Sequence, residues 1–455
     1  MYLQVIRSEG LSHLSYFLSD GGEAAVIDPR LDHQVYLDLA AREGVRITRI
    51  FETHRNEDYV IGSLPLAACC GADIYHGAAL DFGYGMPVDN GDRFEFGSVG
   101  LQVLETPGHT FESISIAIYD QAFGDVAVGV FTGDALFVGD VGRTDFFPDR
   151  KREVAGLLYD SIHNTLLPLG DQVIVYPAHG AGSVCGSGMA DREFSTLGYE
   201  RRCNPKLQMN RDDFIDLKVQ EHHYYTPYFR RMEYLNQQGF GRQFAQARPL
   251  AVTPGQLADQ QEAGAIVLDV RDAEAIATTL IPGSYGIPLD MVPAFAGWYL
   301  PYDRDIVLIV GCDHDIERAV LFLQRMGYVR ITGFLAGGMT TWQTSGRRYD
   351  TLPAVHVDVL RQRADANADY TLLDVRSVDE FKMGHLRGAE HIYLGELAEK
   401  FDQLPKAHPV TTFCGSGQRA LVAATILKRL GIDDVEVCFG SMQACKATGC
   451  EALID

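Results

Sequence analysis

Basic residues are scarce in this sequence. Lysine and arginine together number 39 against 61 aspartate and glutamate residues, which gives a formal net charge of −22. No run of basic residues offsets this excess, and the densest group is Arg201, Arg202 and Lys206. A surface with this charge repels phosphate backbones and anionic lipids. We therefore expect no binding to nucleic acid or to membranes.

Paired cysteines and long apolar segments are also missing. The nine cysteines include no Cys-x-x-Cys pair, which argues against a zinc ribbon or an extracellular disulfide framework. The first residues lack the basic start and the continuous apolar segment of a signal peptide. No apolar stretch approaches the roughly 20 residues that cross a bilayer. The sequence therefore predicts a cytoplasmic protein.

An internal repeat divides the second half of the chain. The 455 residues suffice for about three domains. The segment Ile266–Arg271 (IVLDVR) recurs as Thr371–Arg376 (TLLDVR), with Asp269 and Asp374 separated by 105 residues. In each copy a short apolar strand, a tight loop and an amphipathic helix follow. This alternation predicts two parallel-sheet α/β domains of about 100 residues each.

The repeat sets the predicted domain boundaries. The two copies occupy residues 246–350 and 351–455, and residues 1–245 form one larger domain. In that domain, short strands such as Arg46–Phe51 alternate with helical stretches such as His33–Glu43. Mixed strands and helices of this length predict a two-sheet sandwich covered by helices.

Four clusters of potential metal ligands each follow a predicted strand of the first domain. Loops at strand ends are where a rigid scaffold can bring side chains together on one ion. The clusters are Thr53–Tyr59, Thr106–Thr110, Phe131–Asp134 and Tyr176–Gly180. In order and composition they resemble the metal-binding loops of the metallo-β-lactamase superfamily. The resemblance covers most of residues 1–205 and implies an αββα sandwich.

The first cluster departs from the HxHxDH pattern of that superfamily. Asn56 and Tyr59 stand where two histidines are expected. The resemblance then leaves His54, His109 and Asp134 as metal ligands. Two histidines and one carboxylate form the facial triad of non-haem Fe(II) oxygenases.

Within the superfamily, this triad resembles the site of persulfide dioxygenases. The segments Gly139–Phe146 and Glu200–Pro205 resemble that family as well. The resemblance implies one Fe(II) ion per chain, with zinc as the alternative, and a thiol persulfide and O2 as substrates. Asp58 and His179 are expected to orient the metal ligands, with direct binding of the ion as the alternative for each.

Four further residues are candidates for contact with substrate or sulfur. Tyr59 either donates its hydroxyl group to substrate or oxygen, or only packs. Arg143 and Arg201 are hypothetical anchors for the carboxylates of an anionic thiol, with simple surface solvation as the alternative. Cys203 follows Arg202, whose charge favours a thiolate. It either carries sulfur at the iron site or only packs.

The second repeat copy carries a nucleophile loop, Cys414–Arg419 (CGSGQR). Its backbone N–H groups lead into a helix N-terminus, where partial positive charge stabilises a thiolate or persulfide anion. The glycines let the loop turn tightly, and Arg419 adds a cation. With Asp374 and Glu380 upstream, this copy resembles a sulfurtransferase of the rhodanese family, with Cys414 as the nucleophile.

The first repeat copy lacks such a loop. Its segment Gly311–Arg318 has Cys312 out of register with Cys414, and neither possible alignment puts a cysteine at the nucleophile position. Three acidic residues in the segment would also raise the pKa of a neighbouring thiol. We expect a degenerate rhodanese-like domain that serves as a spacer.

Together these resemblances imply a persulfide dioxygenase fused to a thiosulfate sulfurtransferase in sulfide detoxification. A low-molecular-weight persulfide such as glutathione persulfide would be oxidised to sulfite and thiol, and Cys414 would form or use thiosulfate. Two alternatives stay open: a zinc thioester hydrolase of the glyoxalase II type, and a non-catalytic sulfur carrier or redox sensor. The identity of the thiol, the direction of sulfur transfer and assembly as a homo-oligomer also stay open.

Overall fold

The computed structural model describes residues 1–183, 185–186, 188–240, 248–366, 368–404 and 409–449. Contacts divide the chain into two compact units, Met1–Gln243 with Arg325–Gly327 and Phe244–Gln324 with Tyr328–Asp455. The expected boundary at residue 245 lies outside the described residues, and both boundaries between the predicted domains stay predictions. Within the described ranges, no helix has the length and apolar character needed to cross a membrane.

The first unit contains twelve strands and six helices within its described residues. The strands are β1 Tyr2–Ser8, β2 His13–Asp20, β3 Glu23–Ile27, β4 Arg46–Phe51, β5 Asp73–Gly77, β6 Met86–Val88, β7 Arg93–Phe96, β8 Val99–Glu105, β9 Ile114–Asp120, β10 Ala127–Gly133, β11 Ile174–Pro177 and β12 Ser195–Thr196. The helices are α1 Gln34–Glu43, α2 Ser63–Cys70, α3 Lys151–Asp160, α4 Leu197–Cys203, α5 Arg211–Gln220 and α6 Phe229–Gln238.

These strands form two six-stranded sheets. The first has the order β1-β2-β3-β4-β5-β6 and the second the order β12-β11-β10-β9-β8-β7. β1 to β3 pair antiparallel and β3 to β6 parallel, while the second sheet is antiparallel except for β10 with β11. The chain therefore builds two mixed sheets.

The two sheets pack face to face, with helices outside. The core between them takes side chains from both sheets, such as Tyr16 and Phe51 from one and Ile116 and Phe131 from the other. The opposite face of each sheet is covered by helices, which place Tyr36 of α1 against one sheet and other apolar residues against the second. Strand β2 has almost every side chain buried because it lies between these layers. The predicted αββα sandwich is confirmed.

The second unit contains ten strands and ten helices within its described residues. The strands are β13 Leu250–Val252, β14 Ile266–Asp269, β15 Tyr285–Gly286, β16 Ile306–Ile309, β17 Ile331–Leu335, β18 Ala354–Val355, β19 Thr371–Asp374, β20 Glu390–His391, β21 Val410–Phe413 and β22 Val435–Cys438. The helices are α7 Pro254–Glu262, α8 Ala273–Thr278, α9 Val292–Tyr299, α10 His314–Arg325, α11 Gly338–Thr344, α12 Val357–Asp365, α13 Val378–Lys382, α14 Leu397–Lys400, α15 Gln418–Arg429 and α16 Ser441–Thr448.

The repeat appears as two parallel sheets with the same topology. Their orders are β13-β17-β16-β14-β15 and β18-β22-β21-β19-β20. In each, the repeated aspartate ends a central strand and pairs with the arginine two residues later: Arg271 Nη2 donates to Asp269 Oδ2 at 2.6 Å, and Arg376 Nη2 to Asp374 Oδ2 at 2.7 Å. The shared DVR sequence therefore forms the same buried ion pair twice, and the predicted parallel α/β domains are confirmed.

The two sheets are connected through α15 of the second copy, which packs on β15 of the first. The Gly286 N–H donates to Thr425 Oγ1 at 3.2 Å. A Cβ atom on Gly286 would lie only 2.7 Å from Thr425 Cγ2, so a glycine is needed for this close approach.

Candidate metal centre and sulfurtransferase loop

The five side chains predicted at the metal site lie together and are buried. Each follows a strand, so the sheet backbone fixes the point from which the side chain extends. They are His54 and Asp58 after β4, His109 after β8, Asp134 after β10 and His179 after β11.

Three of these side chains each direct one atom toward a common point. Asp134 Oδ2 lies 3.5 Å from His109 Nε2 and 3.8 Å from His54 Nε2. His54 Nε2 and Asp134 Oδ2 are buried and have no hydrogen-bond partner among the described residues, and the buried His109 Nε2 has the Glu57 carboxylate 2.7 Å away. Such atoms are costly to bury unless a ligand satisfies them. Two imidazole nitrogens and one carboxylate oxygen suit a divalent transition-metal ion, so the donor set fits a bound metal.

The imidazole of His54 is oriented through its other nitrogen. Thr53 Oγ1 donates to Asp28 Oδ2 at 2.7 Å and lies 3.0 Å from His54 Nδ1, which therefore donates to Thr53. Nδ1 then carries the ring proton and Nε2 keeps its lone pair. Burial lowers the pKa of His54 to about 3, so the ring is neutral and able to bind a metal.

His109 is held in the same way by the backbone. Its Nδ1 lies 3.0 Å from the carbonyl oxygen of Arg143, to which it donates, and Nε2 faces Asp134. Gly142 lets this segment approach the ligands closely. A Cβ atom there would lie 2.0 Å from the carbonyl oxygen of Asp134 and 3.2 Å from His109 Nδ1.

His179 bridges the carboxylates of Asp134 and Asp58. Its Nδ1 lies 2.7 Å from Asp134 Oδ1 and its Nε2 lies 3.1 Å from Asp58 Oδ2. Burial opposes a charge on His179, but the two carboxylates raise its pKa well above the usual value. Burial also opposes a charge on Asp134, yet His179 and His54 hold its pKa below the usual range. Asp134 is therefore anionic.

The two residues that replace histidines in the first cluster make other contacts. Asn56 Nδ2 donates to the carbonyl oxygen of His54 at 3.2 Å. The Tyr59 hydroxyl lies 2.8 Å from His13 Nε2, and the two ring centroids are 4.1 Å apart. Tyr59 is buried in this contact, and its role toward substrate stays a prediction.

A buried carboxylate that the sequence analysis did not assign also faces the metal ligands. Glu57 Oε1 lies 2.7 Å from His109 Nε2, and Glu57 Oε2 has no hydrogen-bond partner among the described residues. Glu57 lies in the first ligand cluster, directly before Asp58. An acidic residue directly beside a predicted metal-site residue is the sequence feature that could have identified Glu57.

A buried thiol and a further histidine were missed as well. The Cys185 Sγ atom lies within 4.8 Å of ligand atoms of Asp58 and His179, and burial raises its pKa well above the usual value. His13 packs beside His179, with ring centroids 5.8 Å apart. Cys185 lies in an irregular segment and His13 at the start of β2, so neither shows a pattern that would identify it.

The other three predicted residues lie in different surroundings. The Arg143 guanidinium is buried and donates to both carboxylate oxygens of Asp145 at 2.7 Å. Arg201 is exposed and lies 3.1 Å from Asp171, and Cys203 is exposed at the end of α4. Among the described residues, Arg201 contacts Asp171 and the backbone oxygen of Leu167, not the metal-site side chains. Substrate binding by the two arginines and sulfur transfer by Cys203 stay predictions.

The Cys414 loop provides hydrogen bonds to the sulfur. Cys414 follows β21 directly, and the Gly417 N–H donates to its Sγ atom at 3.1 Å. Gly417 has a φ of 107°, and a Cβ atom there would lie 2.9 Å from Phe439 Cα, so only glycine suits this position. The Ser441 hydroxyl accepts the Cys414 N–H at 3.1 Å. The sulfur therefore lies at the start of α15, where an anion is stabilised.

Arg419 is held beside this loop by Glu380. Its Nη1 and Nη2 atoms donate to the two Glu380 oxygens at 2.6 and 2.7 Å. Burial opposes both charges, but each stabilises the other, so the pKa of Arg419 is raised and that of Glu380 is lowered to about 2. Arg419 is therefore a fixed cation.

The first copy has no thiol at the corresponding position. Asp269 pairs with Ile309 and Asp374 with Phe413, so Val310 corresponds to Cys414. Cys312 is exposed at the rim of a cavity of about 600 Å³.

Comparisons with known proteins agree with this architecture. Residues 9–179 match the Metallo-beta-lactamase superfamily, and residues 253–345 and 356–448 each match the Rhodanese-like domain. The mitochondrial persulfide dioxygenase ETHE1 of Bos taurus is 30% identical over 209 residues, which cover 44% of this chain and 74% of that protein. The Homo sapiens protein of the same name is 30% identical over 215 residues, with 45% and 74% covered.

A solved structure extends the likeness beyond the first domain. The crystal structure of a metallo-beta-lactamase from Staphylococcus aureus subsp. aureus COL is 32% identical, with a TM-score of 0.66. The match covers 74% of this chain and 98% of that one. The chain therefore belongs to the persulfide dioxygenase family of the metallo-beta-lactamase superfamily, as an enzyme in which this fold precedes two rhodanese-like domains.

Proposed function

We propose that this enzyme oxidises a low-molecular-weight thiol persulfide, such as glutathione persulfide, with O2 at one bound Fe(II) ion. The observation that carries the proposal is the buried group of His54 Nε2, His109 Nε2 and Asp134 Oδ2, in which the carboxylate oxygen lies 3.8 and 3.5 Å from the two nitrogens. Two histidines and one carboxylate leave positions open for ligands from solution. The relatives named persulfide dioxygenase support this substrate class.

The reaction balances with water as the third reactant. A persulfide R–S–SH, O2 and H2O give the thiol R–SH and sulfurous acid, H2SO3. The outer sulfur loses four electrons, and O2 accepts them. When bound, iron supplies the one-electron redox chemistry that O2 requires. The chain's own residues hold the ligands in place: Thr53 and the Arg143 carbonyl group orient the two imidazoles, and His179 positions Asp134.

We further propose that Cys414 transfers sulfane sulfur. Its thiolate attacks the outer sulfur of a persulfide, which forms Cys414–S–S⁻ and releases the thiol. Sulfite then attacks that outer sulfur, so thiosulfate leaves and the Cys414 thiolate returns; the reverse sequence uses thiosulfate. The Gly417 N–H and the Arg419 cation stabilise the sulfur anion in both directions. Coupled in one cytoplasmic chain, the two steps would remove sulfide-derived persulfide.

A second candidate function is a zinc thioester hydrolase. The cluster of Asp58, His179 and Cys185 favours it, because these residues could hold a second ion beside the first. Two ions would allow hydrolysis through a metal-bound hydroxide. This activity would proceed without consumption of O2.

Anaerobic purification with metal quantification, followed by O2 uptake on glutathione persulfide, tests the proposal. We expect about one iron per chain, O2-dependent sulfite release, and loss of both in His109→Ala. Zinc in the purified protein together with thioester cleavage and no O2 uptake would establish the hydrolase instead.

A further inference from the structure

We propose that the carboxylate of Glu57 is a fourth protein ligand of the metal ion, beside His54, His109 and Asp134. The proposal concerns the same centre as the proposed function but holds for any divalent ion bound there.

The Glu57 carboxylate lies close to two of the metal-site histidines. Glu57 Oε1 lies 2.7 Å from His109 Nε2, and ligand atoms of Glu57, His54 and His109 all lie within 4.8 Å of one another. Ligands bound about 2.1 Å from one ion lie roughly 3.0 to 3.5 Å apart. Small side-chain movements therefore suffice for the ligand atoms of Glu57, His54 and His109 to share an ion.

The Glu57 carboxylate approaches the nitrogen of His109 that faces the metal site. A carboxylate that only orients a ligand histidine binds the nitrogen that does not face the metal. In His109 that nitrogen, Nδ1, already donates to the carbonyl oxygen of Arg143. Glu57 instead approaches Nε2, the atom that faces Asp134 Oδ2. Glu57 is thus on the metal side of the ring.

The Glu57 carboxylate is buried with one oxygen unsatisfied. Glu57 is 1% exposed, its Oε1 contacts His109 Nε2, and its Oε2 lacks a hydrogen-bond partner among the described residues. A buried carboxylate that lacks full hydrogen bonding is costly unless it coordinates a metal. A cation between Glu57, Asp134 and the two histidines removes this cost.

Glu57 lies next to the position of a missing superfamily histidine. Asn56 at that position has no imidazole nitrogen, and its side-chain N–H donates to the backbone oxygen of His54. Glu57 supplies a ligand from the same turn. A ligand set of two histidines and two carboxylates also neutralises the charge of a divalent ion.

Metal binding by Glu57→Gln tests the assignment, with Glu52→Gln as the matched control. Glu52 is a buried carboxylate on the same segment, but it binds the Tyr84 hydroxyl and not the metal ligands. Each full-length protein is reconstituted anaerobically with Fe(II) and, separately, with Co(II) as a spectroscopic probe. Affinity is measured by competition with a chelator, and coordination by the Co(II) d–d bands.

We expect Glu57→Gln to weaken metal affinity by about tenfold or more and to change the Co(II) bands. Glu52→Gln should match the unaltered protein in both. Unchanged affinity and bands in Glu57→Gln would overturn the proposal, and so would weaker affinity with unchanged bands, which would place Glu57 outside the coordination sphere. If Glu57→Gln does not fold, the same two measurements are made on Glu57→Asp. This variant keeps the negative charge on a shorter side chain. Absence of O2 uptake by the iron-loaded unaltered protein would contradict the dioxygenase proposal alone.

Discussion

His179 Nδ1 donates a hydrogen bond to Asp134 Oδ1 at 2.7 Å. This bond occupies one oxygen of the carboxylate and turns the other, Oδ2, toward the two ligand imidazoles. His179 thus acts on the metal centre through Asp134.

Replacement of His179 by alanine should weaken metal binding without abolishing it. The substitution removes the hydrogen bond that orients Asp134 but leaves every proposed ligand in place. Loss of such an orienting partner lowers metal affinity by about 10- to 100-fold. Chelator competition with Fe(II) or Co(II) measures this change.

Two further variants serve as controls, one for complete loss of metal binding and one for unchanged binding. His109→Ala removes a proposed ligand and should abolish stoichiometric binding. His163→Gln alters a half-buried histidine that stacks on Tyr159 and should bind metal normally. If His179→Ala loses metal as completely as His109→Ala, His179 is a ligand rather than an orienting residue.

Much of this centre could be predicted because its residues follow strands. The sequence shows where β4, β8, β10 and β11 end, and a polar residue directly after a strand end stays near the end of its sheet. Pairing within the second sheet then brings His109, Asp134 and His179 together, and the packing of the two sheets adds His54 from the end of β4 in the first sheet. The repeat was predictable for a similar reason, since the DVR sequence forms a local ion pair in both copies.

Side-chain direction within irregular segments could not be predicted in this way. Arg143 shows why: its guanidinium group binds Asp145 and lies 4.7 Å from the Phe146 ring centroid, which depends on how that loop closes. Cys185 reaches the metal-site residues from a segment without periodicity. Glu57 lies within the predicted ligand cluster, but no sequence pattern indicates whether its carboxylate points toward the metal ligands or toward solvent.

Gly142→Ala should damage the metal centre through the backbone. The added Cβ atom would lie 2.0 Å from the carbonyl oxygen of Asp134 and so must displace the segments that carry Asp134 and His109. We expect a loss of stability of more than about 2 kcal/mol and a reduced metal content. Thermal unfolding and metal analysis measure both. Gly124→Ala is the matched control, because nothing lies within 4 Å of its added Cβ atom.

Cys414→Ser should abolish thiosulfate formation and leave O2 uptake intact. The substitution removes the sulfur that the Gly417 N–H contacts, while the metal ligands lie in a different domain. Cys312→Ser is the control, because Val310, and not Cys312, corresponds to Cys414 in the strand register. The measurements are thiosulfate formation from glutathione persulfide and sulfite, and O2 consumption. Thiosulfate formation that persists in Cys414→Ser would contradict the proposed division of labour.

The ion pair between Glu380 and Arg419 should stabilise the last domain in a pH-dependent way. Burial favours the neutral acid, but Arg419 lowers the pKa of Glu380 in the folded protein to about 2, below the value of about 4.3 for an unfolded chain. A group whose pKa is lowered by folding stabilises the folded state above its unfolded pKa and loses this effect as the pH falls. The contribution should therefore be constant from pH 8 to about 5 and disappear toward pH 2.

Comparison of Glu380→Gln with the unaltered protein measures this contribution. We expect Glu380→Gln to lower the denaturant midpoint at pH 7 and the difference between the proteins to shrink steadily below about pH 4.5. Glu396→Gln removes a partly exposed pair with Lys400 four residues later and should change stability by no more than about 0.5 kcal/mol. A Glu380→Gln difference that stays constant down to pH 3 would mean that packing, rather than the charge of Glu380, accounts for the loss. Slower sulfur transfer by Glu380→Gln at pH 7 would show that Arg419 needs this partner to stay beside Cys414.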